Sequence, residues 1–102
     1  MPEDFAPLPE LNRVIHEPAR LAILTILSAC DSADFVFLEK ATGLTKGNLS
    51  VQITRLEEAK LVYVEKTIRH KKTLTTVSLS ARGKHQIADY WKTMDMMRQR
   101  AK

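Results

Sequence analysis

Between Leu44 and Leu61 the apolar residues Leu49, Ile53 and Leu56 recur at helical spacing, which predicts a helix with one stripe against a core. The opposite side carries Lys46, Gly47, Asn48, Val51, Thr54 and Arg55, all small, polar or basic, with no acid before Glu57. Thr45 stands where its hydroxyl caps the first turn, whose backbone N–H groups otherwise lack partners. A helix anchored on one side and rich in donors on the other suits a DNA major groove. It suits an ordinary solvated surface equally well, so its neighbours must decide.

Upstream, Leu8, Leu11 and Ile15 fall at helical intervals and predict a short helix over Glu10–His16. Met1–Pro9, with three prolines, reads as an N-terminal arm. Pro18 suits the first position of the next helix. There Leu21, Leu24 and Leu27 form one apolar strip and Ile23 and Ile26 another, so this helix is expected to pack on two sides. Asp31–Asp34 reads as a loop with capping residues. A third helix follows over Phe35–Thr42, with Phe35, Leu38 and Ala41 inward, and Gly43 breaks it because glycine takes a left-handed φ cheaply. Two short helices about a tight glycine turn make a helix-turn-helix unit, whose second helix is the reader.

After Lys60 the apolar period shortens to two. Val62 and Val64 share one face of a first strand, Val77 and Leu79 one face of a second, and threonines supply β-branched residues around them. Arg69-His70-Lys71-Lys72 lies between the strands, and the absence of glycine there predicts a longer loop than the tightest hairpin turns. Ser80 is placed to cap a last helix over Ala81–Arg100, with Ile87, Tyr90, Trp91, Met94 and Met97 in one stripe. At about 30 Å that helix outruns a small core.

A chain of 102 residues fits one domain able to close a core without disulfides. The formal charge of +4 and pI near 9.4 lean towards an anionic partner. Cys30 has no partner for an internal disulfide and is expected to be a small buried hydrophobe. No apolar span of membrane length and no signal-peptide pattern is visible, so a cytoplasmic protein is expected.

In this order the residues resemble a known family. HEPARLAILTIL, then DFVFLEKATGLTKGNLSVQITRLEEAKLV, then the hairpin and LSARGK resemble the MarR/ArsR-like winged-helix transcriptional regulators, in particular the small single-domain winged helix DNA-binding domain group. The resemblance covers about Leu11 to Tyr90. It implies a mainly α fold with a small β-hairpin wing, a winged helix-turn-helix with extra N- and C-terminal helices, spanning 10–100. It also implies that Thr45–Lys60 is the recognition helix, that Arg69–Lys72 is a wing tip on phosphates or the minor groove, and that the terminal helices form a homodimer. The sequence departs from the pattern at Lys60, where such proteins usually have glycine before the wing, and at the glycine-free wing tip.

The candidate DNA contacts are Thr45, Lys46, Asn48, Val51, Thr54, Arg55, Arg69, His70, Lys71 and Lys72. Lys46, Arg55, Arg69, Lys71 and Lys72 would neutralise phosphates. Asn48 would pair with adenine, Arg55 with guanine or phosphate, and Val51 would touch a thymine methyl, with Ser50 and Gln52 on the flanks. The candidate dimer interface is Leu11, Ile15, Ile23, Ile26, Ile87, Tyr90, Trp91, Met94 and Met97. No cofactor is expected. Cys30, His16, His70 and His85 lack the paired spacing of a metal site, and no constellation for catalysis is present. The methionine–tryptophan stripe suits a helix–helix interface better than a pocket for a small-molecule effector of unknown identity. Two rivals stay open: an adaptor whose reader helix binds protein, and a domain that binds RNA.

Overall fold

The computed structural model describes residues 10–101; the arm expected over Met1–Pro9 lies outside them. The first described segment is a single turn rather than the helix expected over Glu10–His16. Asn12 Oδ1 accepts from the N–H groups of Val14 and Ile15 at 2.9 and 3.2 Å, and its carbonyl accepts from His16 N–H at 2.7 Å. Pro18 disfavours helical backbone in the residue before it, which stops the turn from propagating. Ile15 plugs the core from this segment. Asn12 Nδ2 donates to Gln86 Oε1, and His16 Nδ1 shares a hydrogen bond with the Tyr90 hydroxyl, each at 2.9 Å.

Helix α1 spans Pro18–Ser28, with Pro18 in its first turn and Glu17 as cap, its carboxylate accepting from the N–H groups of Ala19 and Arg20. Burial pushes the Glu17 carboxyl up. The two backbone donors and the charges of Arg20 and Arg55 more than offset this, so its pKa lies below the ordinary glutamate value. Ile23, Leu24 and Leu27 are buried, while Leu21 and Ile26 are partly covered. Cys30, just past the helix, is exposed rather than buried: the helix has ended, and the side chain no longer follows the apolar stripe.

Asp31–Asp34 is not wholly loop. Ala33–Asp34 forms a two-residue strand β1, and Asp34 then caps α2 (Phe35–Thr42) through Phe37 N–H at 2.8 Å. Leu38 is fully buried and Phe35 partly so, but Ala41 faces solvent, a correction to the expected inward trio. Gly43 closes the helix at φ 73. Helix α3 is Lys46–Glu58, with Leu49, Ile53 and Leu56 buried. Lys60 turns the chain with φ 67, taking the left-handed conformation that glycine would take more cheaply.

Strands β2 (Val62–Arg69) and β3 (Lys72–Leu79) pair antiparallel, with Val64 opposite Val77 and Arg69 opposite Lys72. β1 pairs with the other edge of β3, Ala33 opposite Val77, giving the order β1-β3-β2. Val77 is thereby the hub of the sheet and is fully buried. The wing turn is two residues long, not the longer loop expected: His70 and Lys71 both hold positive φ, 54 and 63. Two positive φ values in succession match the right-handed twist of the strands, the geometry usually given to Asn-Gly. Helix α4 covers Ala81–Arg100, capped by Ser80, whose hydroxyl accepts from Gly83 N–H at 2.9 Å. The radius of gyration, 16.3 Å, exceeds the roughly 13 Å of a compact chain this long. Parts of the chain therefore project beyond the core.

Candidate nucleic-acid interface

Helix α3 is fixed to the core by Leu49, Ile53 and Leu56 and closed at its start by Thr45, whose Oγ1 accepts from Asn48 N–H at 3.1 Å. With the core side filled, Lys46, Asn48, Val51, Thr54 and Arg55 are left exposed. Val51, 49% exposed, is the one large apolar group on this side. The Thr54 hydroxyl donates to the Ser50 carbonyl at 3.0 Å, so its proton is engaged and the exposed oxygen is left to act as an acceptor.

The wing supplies a second cationic group. Arg69, His70, Lys71 and Lys72 are all exposed at the turn. A shallow cleft lined by Ser50, Thr54 and Glu57 of α3 and by Val64, Lys66 and Thr75 of the wing joins the two elements. Lys66 was not among the expected residues; its place in this cleft depends on the hairpin folding back beside α3, which no local pattern records.

Gln52 has a more defined place than a flank. Arg20 on α1 donates from NH1 to Gln52 Oε1 at 2.9 Å, and Gln52 Nε2 donates to Asn48 Oδ1 at 3.0 Å. The Arg20 side chain is only 13% exposed and is held on its other sides by the Val14 carbonyl, 2.6 Å from Nε, and by Glu17 at 3.8 Å. Nothing in the sequence singles out Arg20, because its partner Gln52 lies on a different helix.

The expected dimer residues divide in two. Ile15, Ile23, Ile87 and Tyr90 are at most 5% exposed. They belong to the chain's own core, with no surface left to offer a partner. Leu11, Ile26 and Met94 are partly buried against that core, and Met97 is partly exposed further along α4. Trp91 and Met96, 44% and 43% exposed, stand open, and Met96 extends the expected set. The histidines are dispersed: His16 on Tyr90, His70 in the wing turn, and His85 with its Nε2 3.2 Å from Asp89. Among the described residues no three His, Cys, Asp or Glu side chains gather as a metal site would require. No described helix is long and apolar enough to cross a membrane.

Comparison with known proteins bears directly on this geometry. The family described as winged helix DNA-binding domain matches residues 19–97, from α1 almost to the end of α4. The chain belongs to that family. As a winged helix DNA-binding domain it carries the architecture of a transcriptional regulator rather than that of an enzyme. A transcriptional regulator homologue from Pyrococcus horikoshii superposes with a TM-score of 0.79 at 27% identity, covering 84% of this chain and 85% of that one. A MarR family regulator from Silicibacter pomeroyi shares the fold at a TM-score of 0.67 and 19% identity, over 82% of this winged helix domain chain and 54% of its own. An uncharacterised protein of Methanocaldococcus jannaschii is 24% identical over 78 residues, 76% of this chain and 85% of the relative.

Proposed function

We propose that the protein is a sequence-specific regulator that binds double-stranded DNA as a homodimer, with α3 in the major groove and the wing on the backbone or minor groove. The observation that carries this reading is the outer side of α3. A rigidly anchored helix presents Lys46, Asn48, Val51 and Arg55 with no acid among them, and the wing that shares a cleft with it carries Arg69, His70, Lys71 and Lys72 exposed at its tip. Basic groups at this density displace counterions from phosphates, and the mixed polar and apolar positions between them are of the size that reads base edges. Trp91, Met94, Met96 and Met97 supply the apolar surface for a second copy. A two-fold dimer would place the two α3 helices on half-sites about one duplex turn apart.

Two measurements test the two halves of this reading. Duplexes selected from random or genomic fragments are titrated by fluorescence anisotropy at two salt concentrations. Wild-type affinity falls with salt, and Lys71→Ala with Lys72→Ala weakens binding to every sequence and lowers the salt slope by about 1 to 2. An unchanged slope removes the wing from the contact. Binding to protein or single-stranded RNA with none to duplex DNA replaces the reading altogether. Light scattering at micromolar concentration gives twice the 11.6 kDa chain mass; a monomeric mass rejects the homodimer and leaves DNA binding standing.

A further inference from the structure

We propose that Arg20, acting through Gln52, sets which end of the Asn48 amide α3 presents, and so which base edge that position accepts. This inference rests on the DNA reading above. An asparagine side chain carries a carbonyl that accepts and an NH₂ that donates, nearly equal in shape, and a free amide offers either one. Here the choice is made from the buried end. A guanidinium has donors and no acceptor, so the Gln52 atom 2.9 Å from Arg20 NH1 is its carbonyl oxygen. Gln52 must then turn its NH₂ away from Arg20, and that group meets Asn48 at 3.0 Å. The Asn48 atom receiving it is the carbonyl oxygen, which leaves the Asn48 NH₂ as the group to offer outward. A reversed Asn48 would set two N–H groups against each other.

The start of the relay is firmly held. Arg20 Nε donates to the Val14 carbonyl at 2.6 Å, its guanidinium lies 3.8 Å from Glu17, and Glu17 is itself fixed by capping α1. Arg20 and Gln52 are therefore positioning residues, and Asn48 is the residue that reads. A presented donor pairs with acceptor edges in the major groove, guanine N7 and O6 foremost. A presented carbonyl would instead pair with the exocyclic amino groups of adenine or cytosine. The bidentate adenine pairing expected from residue type alone needs the Asn48 carbonyl turned outward. With the NH₂ outward the position favours guanine, whose N7 and O6 are both acceptors, over adenine, which offers only N7.

Gln52→Glu tests this with almost no change of volume. A carboxylate keeps Arg20 partnered but offers Asn48 only acceptors, so the Asn48 amide must reverse and present its carbonyl. Selection from a random duplex pool, run on wild type and Gln52→Glu, is expected to show one position per half-site moving from guanine to adenine or cytosine by about tenfold. The added carboxylate weakens binding to every sequence alike, so the relay is read from the ratio between bases at that one position and not from overall affinity. Asn48→Ala erases the preference at that same position. NMR of the DNA-free protein supplies a second readout: in Gln52→Glu the Asn48 side-chain amide protons gain a charged acceptor and shift downfield. Unmoved Asn48 resonances overturn the relay whether or not DNA binds. An unaltered base preference at that position overturns it too. Wild-type protein that selects no duplex defeats the DNA reading and, with it, the base assignment, and this is seen before any variant is made.

Discussion

Helices α3 and α4 are both amphipathic, and they put the property to different uses. In α3 the apolar stripe of Leu49, Ile53 and Leu56 ends where the core ends, and all three are buried. What remains is polar or basic apart from Val51. In α4 the stripe begins on the core with Ile87 and Tyr90 and then continues through Met94 and Met97, beside the open Trp91 and Met96. A stripe that stops with the core is accounted for by folding. One that outruns it implies a second surface, since solvated methionine and tryptophan gain nothing from their spacing. The chain thus carries one helix completed by its own fold and one that its own fold leaves incomplete.

The two largest expected effects are of equal size, and the first falls on the junction between the two helices. A Cβ on Gly83 would overlap the Leu61 carbonyl oxygen where α4 crosses the chain leaving α3. Gly83→Ala is expected to lower stability by about 3 kcal/mol, read in thermal or urea melts; an unshifted transition means the crossing yields. Next comes the contrast itself. Leu49→Ala costs about 3 kcal/mol of folding stability, whereas Met97→Ala costs less than about 1 kcal/mol and raises the dimer dissociation constant about tenfold in analytical ultracentrifugation. Equal folding losses from both would erase the distinction between the helices.

Smaller effects sharpen the α3 side. Lys60→Gly relieves the left-handed backbone at the exit of α3 and should raise stability by about 1 kcal/mol. A loss instead would show that the lysine side chain has a role there. The smallest concerns Glu17, whose charge faces Arg20 and Arg55. Its pKa is depressed, so its ionised form contributes stability that is present above the ordinary glutamate value and is lost as pH falls through the lower, folded one. Glu17→Gln should flatten the acid limb of the stability–pH curve below about pH 4. With the Glu17 side chain 32% exposed, solvent screening keeps that effect small.

What was legible in the sequence was local. Thr45 and Ser80 cap the helices that follow them, and Gly43 ends α2, because a cap or a left-handed glycine acts within a few residues of itself. What was not legible depended on distant partners. β1 exists because Ala33 and Asp34 meet Val77 and Thr76 of β3, and two residues hold no period to read. The wing turn defied its composition, since ladder pairing on both sides holds His70 and Lys71 in a conformation they do not favour alone. Asn12 took a single turn where the apolar spacing promised a helix. Among the expected DNA contacts the exposure of the α3 face followed from its wheel, but the Arg20–Gln52–Asn48 connection joins two helices and leaves no mark on either.

The corner at Ser80 has a mechanical meaning beyond capping. Its hydroxyl donates to the Lys60 carbonyl at 2.7 Å and accepts from Gly83, while its own N–H donates to the Leu61 carbonyl at 3.0 Å. The exit of α3, the root of the wing and the first turn of α4 are therefore riveted into one block. In a dimer joined through the far end of α4, each such helix acts as a lever arm with no hinge at its base. A few degrees of change in how the two arms cross would swing the whole reader block, altering the span between the two α3 helices instead of being absorbed at the joint.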